Sequence, residues 1–449
     1  MFLVRAVPYF LFSIYYFLNL VPTTSHMKKL LLLLLIGFQV AAIAQPITLA
    51  TPESQGFSSE RLKRIDREMT GWVDKGWMQG GAALVIRNNK IVYYKAVGFN
   101  DKEMKVAMQK DQIFRIASQT KAITSVAIMI LFEEGKLLLD DPVSKYIPAF
   151  AKQQVLDKFN AADTSYTTVP AKKEITIREL LTHTSGLGYA QIGSKEANAI
   201  YAKSTITAGI GVKDDKLLDA MNRLAKLPLM HQPGEKFTYG LNSDLLGCLV
   251  EVISGISLDE FFRTRIFEPL AMTDTYFNIP QNKAWRLAKL YREDSTGKLV
   301  KAEANMLNGK TITPDYPLYG STYFSGGAGL SSTIYDYAVF LQMLLNGGIH
   351  NGKRILSRNT VRLMTMNQIG DLALGNDKFG LGFQVVTERG SARTPSNPGT
   401  FSWGGAFATS YWVDPKEKMV FLFYRQLQSS THGDVVEKFR AMLYGAMND

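Results

Sequence analysis

The stretch from Phe114 to Gly135 constrains this chain most. It reads Phe-Arg-Ile-Ala-Ser-Gln-Thr-Lys-Ala-Ile-Thr-Ser-Val-Ala-Ile-Met-Ile-Leu-Phe-Glu-Glu-Gly. From Ala122 to Phe132 there is no charge, and only Thr124 and Ser125 are polar. A helix without a polar face must be buried on most sides. This run is too short to cross a bilayer, which takes roughly 20 residues. The pattern therefore predicts an interior helix stopped at Gly135. Ser118 and Lys121 stand three apart at its first turn and so share a face, a hydroxyl beside an amine. That is the pairing of a nucleophile with an activating base. The pair alone also fits a plainer arrangement, with Ser118 capping the helix and Lys121 on the surface. Ser-x-x-Lys occurs twice more, at Ser25/Lys28 and at Ser295/Lys298, but only the middle copy opens an apolar helix.

The rest of the composition limits what such a pair can serve. Of the 449 residues, 46% are apolar and 20% charged, enough for a large core and two lobes. Met27-Lys28-Lys29, the apolar run Leu30 to Ile36 and Ala42-Ile43-Ala44 have the order of a secretory leader, with cleavage expected before Gln45. Residues 1–26 form a second apolar stretch upstream. They read as an over-extended start before a true Met27, or alternatively as a membrane anchor. No cysteine lies near the expected cleavage point, which speaks against lipid attachment. The formal charge of +11 is spread without a run of five basic residues, so no nucleic-acid partner is expected. The single cysteine, Cys248, sits in an apolar run and reads as core. The five histidines show no metal-ligand spacing, and no metal or cofactor is expected.

Taken in order, Leu62, Ile65, Met69 and Trp72 recur at helical spacing after Ser58. Two apolar runs, Ala82–Arg87 and Ile91–Val97, flank a turn at Asn88-Asn89-Lys90 and predict a hairpin. Residues 150–173 read as polar and irregular. Helices are expected over 214–229, from a loop at Tyr239 into Gly255, over 258–270 and over 334–345. The glycine-rich loop Ser325–Thr333 lacks the Gly-Lys-Ser/Thr of a phosphate cradle, so it predicts backbone packed close to a site. Late strands are expected at 382–386, 404–413 and 419–424, before a final helix at 434–446. Strand signals thus cluster at both ends. The expected fold is an α/β sandwich: an antiparallel sheet built from 55–117 and 346–449, flanked by the first and last helices, with a mostly helical lobe inserted over 118–345.

Three further segments join the Ser118 helix: Ile175-Thr-Ile-Arg-Glu-Leu-Leu-Thr-His183-Thr-Ser-Gly-Leu187, Pro233-Gly-Glu-Lys-Phe-Thr-Tyr239-Gly-Leu-Asn-Ser-Asp-Leu-Leu-Gly247, and Trp403-Gly404-Gly405. Together they resemble the penicillin-binding-protein-like serine hydrolases, which include class C β-lactamases, D-alanyl peptidases and the family VIII esterases. The resemblance covers roughly 55–447 and implies a site between sheet and helical lobe. By motif position it makes Ser118 the nucleophile, Lys121 its activating partner and Tyr239 the proton shuttle. It places the oxyanion at the backbone N–H groups of Ser118 and Ala406, and substrate contacts at Trp403, Gly404, Gly405, Leu241 and Asn242. His183 is expected to be structural. Burial predicts a lowered Lys121 pKa, fitting a base.

Two departures bear on substrate. Leu241 stands where the β-lactamases carry the Asn of Tyr-x-Asn, with Asn242 one residue later. Trp403 replaces the lysine of the third box, and an indole cannot pair with a substrate carboxylate. Both resemble the esterase branch. The leading expectation is an exported enzyme cleaving short-chain esters through an acyl-enzyme. The alternatives are a β-lactamase or D-amino-acid peptidase, and a catalytically idle binding protein on the same fold. The expected partner is a small ester or amide, with no stable membrane insertion once the leader is cut; the sequence assigns no oligomeric state.

Overall fold

Apolar runs from both ends of the chain meet in one sheet. The structure, a computed structural model, describes residues 47–206, 209–303 and 312–448, so the two leader readings lie outside the described residues. The sheet has nine strands: β1 Thr48–Leu49, β2 Gly80–Arg87, β3 Lys90–Asp101, β4 Val106–Ala107, β5 Lys378–Phe379, β6 Gln384–Val385, β7 Phe401–Gly405, β8 Thr409–Asp414 and β9 Met419–Tyr424. Their order is β1-β3-β2-β9-β8-β7-β6-β5, with β4 on β3. All pairs are antiparallel except β1 with β3. Asn88 and Asn89 both take positive φ, 52° and 61°, as a two-residue hairpin turn of the right twist requires.

Five helices position the site: α1 Ser59–Asp74, α2 Thr120–Glu133, α3 Asn242–Ser254, α4 Ile334–Leu345 and α5 Val435–Tyr444. Strands β2 and β9 are buried along their whole length because both faces are covered, which is why they read as continuous apolar runs. Ala83, Val85, Phe421 and Phe423 face the α1 and α5 layer, where Leu62, Ile65, Met69 and Trp72 lie as their spacing predicts. Ala82, Leu84, Ile86 and Leu422 face the larger core shared with α2, α3 and α4.

Four boundaries differ from expectation. Helix α4 packs on β9 and β2, so it belongs with the sheet and not with a lobe extending to 345. Residues 154–170 are not irregular: Gln154–Phe159 pairs with Tyr166–Pro170 in a hairpin. Most of its residues are exposed, so no apolar alternation marks it. The run 404–413 is two strands, not one, because the chain reverses at Ala406–Ala408 with Ala408 at φ 60°. The 258–270 segment is helical but broken by a π turn at Arg263–Phe267.

Two glycines separate backbone crowding from backbone freedom. A Cβ on Gly80 would lie 2.6 Å from Phe99 O and 2.7 Å from Val97 O, whereas one on Gly71, inside α1, meets nothing within 4 Å. Gly80→Ala should lower unfolding stability by about 2 kcal/mol or more. Gly71→Ala should raise it by about 0.5–1 kcal/mol through helix propensity. Urea unfolding of the two variants checks both signs.

Candidate active site

The chain enters the site along a short ribbon in which Ile113–Arg115 pairs with Ser331–Thr333. A 3-10 turn at Ala117–Gln119 then opens α2. Ala117 holds a left-handed φ of 43°, an uncommon state for a residue with a Cβ. Neighbours fix that turn from several sides. Thr120 Oγ1 donates to Ala117 O at 2.7 Å, Ile116 N to Leu330 O at 3.1 Å, and Tyr337 Oη to Gln119 O at 2.9 Å. Tyr424 Oη also donates to Gln119 Oε1. Ser118 is therefore presented on a pinned turn, half-buried at the mouth of a helix whose residues from Thr120 to Leu131 are all buried.

Lys121 lies inside that helix's first turn. Its Nζ donates to Gly327 O at 2.7 Å, Tyr189 Oη at 3.1 Å and Ser118 Oγ at 3.4 Å. Three acceptors match the three N–H donors of an ammonium. Burial draws its pKa down, but the phenol oxygens of Tyr189 and Tyr239 raise it by more, so the balance lies above the ordinary lysine value. The expected downward shift is thus reversed: the neighbours, and not the apolar helix, decide Lys121's charge. The glycine-rich loop does pack against the site, as expected. Gly326 O accepts from Thr124 Oγ1 at 2.6 Å. A Cβ on Gly326 would lie 2.4 Å from Ser243 O, and one on Gly327 2.4 Å from Asp244 Oδ2.

Tyr239 forms the second wall. Its ring centroid is 4.6 Å from Lys121 Nζ, 4.9 Å from the His183 ring and 5.5 Å from each of Tyr189 and Trp403. Trp403 Nε1 donates to Tyr239 Oη at 3.5 Å. His183 follows the helix Ile177–Leu181, which begins with a Thr176/Glu179 capping box, and takes a left-handed φ of 57°. Asn242 Nδ2 donates to His183 Nδ1 at 2.9 Å, and Asn242 Oδ1 accepts from Ser185 Oγ. Burial, helped by the Lys121 charge, holds His183 well below its ordinary pKa, so it is a neutral packing partner. Asn242 and Leu241 do not reach the cleft, against expectation. Both are fully buried, and the Asn242 amide is spent on His183 and Ser185. Cys248 is buried in α3, with its thiol pushed up to about 12.

Strand β7 supplies the third wall and packs against the Ala117–Gln119 turn. Gly405 must be a glycine for this approach, since a Cβ would lie 2.4 Å from Ile116 O. Strand β6 pairs only with Phe401 and Ser402, which leaves the outer edge of Trp403–Gly405 unpaired by it, and exposed Ala406 comes next. Ser118, Tyr239, Trp403 and Gly404 line a cleft of about 510 Å³ that continues to Trp412 and the Glu437–Arg440 ion pair on α5. Among its lining residues Arg440 is the one cation, against Asp377 and Glu437. No cluster of metal-ligand type occurs among the described residues. Sequence reasoning missed Tyr189, two residues beyond the His-Thr-Ser-Gly-Leu stretch, and Asp244, five beyond Tyr239. Neither position carries a chemical signature until Lys121 is placed beside it.

The sequence profile of a family described as Beta-lactamase matches residues 64–446. Esterase EstB of Burkholderia gladioli is 30% identical over 381 residues, 82% of this chain and 92% of EstB. A protein of Escherichia coli (strain K12), provisionally named as a D-alanyl-D-alanine carboxypeptidase, is 29% identical over 433 residues, 92% of this chain and 93% of its own. Among solved structures, "EstCE1, a hydrolase with promiscuous acyltransferase activity" is similar at a TM-score of 0.73 and 27% identity, over 86% of this chain and 98% of that one.

The neutral His183 has a consequence for stability. Its folded pKa lies below the unfolded value near 6.5. The unfolded chain therefore takes up the proton first, and this contribution, complete above pH 6.5, is lost as pH falls below it. Unfolding free energy measured from pH 7 to 5 should fall, and His183→Gln should fall less steeply over that window.

Proposed function

This chain belongs to the β-lactamase family of serine hydrolases, and from that premise we propose that it cleaves short-chain carboxylic esters through an acyl-enzyme on Ser118. Ser118 Oγ attacks the ester carbonyl carbon while its proton passes to Tyr239, which acts as a phenolate beside the Lys121 ammonium, 4.6 Å from its ring centroid. Lys121, charged and 3.4 Å from Oγ, stabilises the negative charge that develops there. The carbonyl oxygen becomes an oxyanion facing the backbone N–H groups of Ser118 and Ala406, where losing one donor costs about 2.7–4 kcal/mol in comparable sites. Collapse breaks the bond to the alcohol oxygen, which leaves with the proton from Tyr239. Water then attacks the acyl carbon, Tyr239 takes its proton, and Ser118 recovers it as the acid departs.

One observation carries the ester reading over the lactam or peptide reading: the charge of the cleft. Penicillins and D-alanyl peptides bring a carboxylate. Here an indole, Trp403, stands at the third box, and the cleft sets Asp377 and Glu437 against Arg440, which already pairs with Glu437. A neutral ester meets no such repulsion. The likeness to EstB and EstCE1 agrees with this reading. The E. coli relative keeps the peptidase as the second reading.

Purified enzyme should release p-nitrophenol from the acetate and butyrate esters and turn over nitrocefin and a D-Ala-D-Ala peptide far more slowly. Ser118→Ala should lose at least about 10³-fold in kcat. Nitrocefin turnover without ester turnover would reverse the assignment. Absence of any turnover, and of labelling by a fluorophosphonate, would favour the idle protein. Residues 27–44 are read as an export leader, and among the described residues no helix is long and apolar enough to cross a membrane. N-terminal sequencing of the product secreted from a bacterial host should begin at Gln45; retention of residues 27–44 on a cytoplasmic product would sink the export reading.

A further inference from the structure

Lys121 carries a buried charge that touches no carboxylate. Its three hydrogen bonds end on the neutral oxygens of Ser118, Tyr189 and Gly327. A buried ammonium is costly without an opposing charge. A carboxylate does lie behind it. Asp244, in the first turn of α3, is fully buried. Its Oδ1 accepts from Ser325 Oγ at 2.6 Å and Tyr323 Oη at 3.3 Å. Its Oδ2 is buried, accepts no side-chain hydrogen bond and lies against the Gly327 backbone, whose N–H favours its charge. A Cβ on Gly327 would sit 2.4 Å from Asp244 Oδ2 and 3.3 Å from Tyr189 Oη. Gly327, whose carbonyl takes one Lys121 N–H, is thus also the residue whose backbone meets the Asp244 carboxylate.

We propose that Asp244 is a positioning residue whose ionised carboxylate, acting across Gly327, keeps Lys121 an ammonium aimed at Ser118. The proposal rests on the roles given above to Ser118, Lys121 and Tyr239. A carboxylate buried behind the site calls for a reason, and none of the steps of ester cleavage uses Asp244 directly. The titratable groups facing it are Lys121 from α2, Tyr189 from the loop beyond Gly186, and Tyr323 from the segment before the glycine-rich loop. On α3 itself Cys248 follows one turn on and stays a neutral thiol. Tyr189 and Tyr323 both have raised pKa values and are uncharged at neutral pH, so Lys121 is the charge that answers Asp244. Burial leaves the Asp244 pKa raised above the ordinary carboxylate value, while Ser325, the Lys121 charge, Tyr323 and the Gly327 N–H pull it back toward the ionised form. The separation has a chemical purpose. A carboxylate in contact with Nζ would take a donor away from Ser118; one residue further back it supplies the field and leaves all three N–H groups to the site.

The pH dependence of ester kcat/KM tests this. Asp244→Asn keeps the shape and the Ser325 hydrogen bond but removes the charge. It should move the alkaline limb down by roughly one pH unit, the size of one charge acting at such range, without a matching loss in Tm. Ser325→Ala removes the donor that helps keep Asp244 ionised, so it should move the acid limb up; it decides the matter if Asp244→Asn does not fold. Limbs unmoved in both variants, or activity lowered by the same factor at every pH, would overturn the proposal and leave Asp244 as packing. Fluorophosphonate labelling of the wild type at Ser118, absent in Ser118→Ala, is run alongside. If the wild type is not labelled, the acyl-enzyme reading fails first; if it is labelled and the limbs stay still, only the role of Asp244 fails.

Discussion

A cation held in the middle of the protein organises the site around it. Lys121 is buried, so each of its N–H groups must find an acceptor, and each does: a serine hydroxyl, a tyrosine hydroxyl and a glycine carbonyl. Those acceptors come from the turn that opens α2, from the loop beyond His183 and from the glycine-rich loop before α4. Satisfying one ammonium therefore brings three distant stretches of chain together. It also explains why the loop is glycine-rich: a side chain on Gly326 would strike Ser243 O, and one on Gly327 would strike Asp244. The same cation acts electrically on its surroundings, helping to depress His183 and oppose the burial of Asp244.

Ser118 depends on the sheet in a more mechanical way. The turn that carries Ser118 includes a strained Ala117 and is clamped by Tyr337 of α4 and Tyr424 of β9, more than 200 residues away in sequence. On the other side, Gly405 of β7 comes so close to Ile116 that no side chain fits between. A left-handed alanine persists only where its surroundings over-determine it, and here both a helix and two strands from the far end of the chain do so. Docking of the sheet on the helical half and presentation of the hydroxyl are thus one structural event.

Much of this is legible in the sequence, and what is not has physical causes. The interior helix, the hairpin at Asn88, the Leu62–Trp72 stripe and the three segments carrying Ser118, Tyr239 and Trp403 all rest on local pattern. The 154–170 hairpin escapes because most of it is in solvent and nothing forces its residues to alternate. The reversal at Ala406–Ala408 escapes because both strands it joins are apolar and no Gly-Asn or Pro marks the bend. The Lys121 charge escapes for another reason: one-dimensional reasoning sees an apolar helix and predicts desolvation, but not the two phenols that fold over the amine. The motif puts Leu241 and Asn242 at a substrate contact, yet at the start of α3 both are buried, and the Asn242 amide completes a network with His183 and Ser185.

The exchange of a cation for Trp403 alters two properties at once. A lysine at that position would offer a charge to a substrate carboxylate; the indole offers one N–H, and it is directed to Tyr239 Oη. Its ring also packs against Tyr239 and Phe379, with centroids 5.5 and 5.3 Å away. On the proposed chemistry Lys121, 3.4 Å from Ser118 Oγ, sets its charge against the transient alkoxide and not against a permanent feature of the substrate. Binding energy from a fixed carboxylate would be felt equally before and during reaction, whereas stabilising the transient charge lowers the barrier itself. On the proposed reading such a site suits small neutral esters over substrates that rely on a fixed carboxylate for binding.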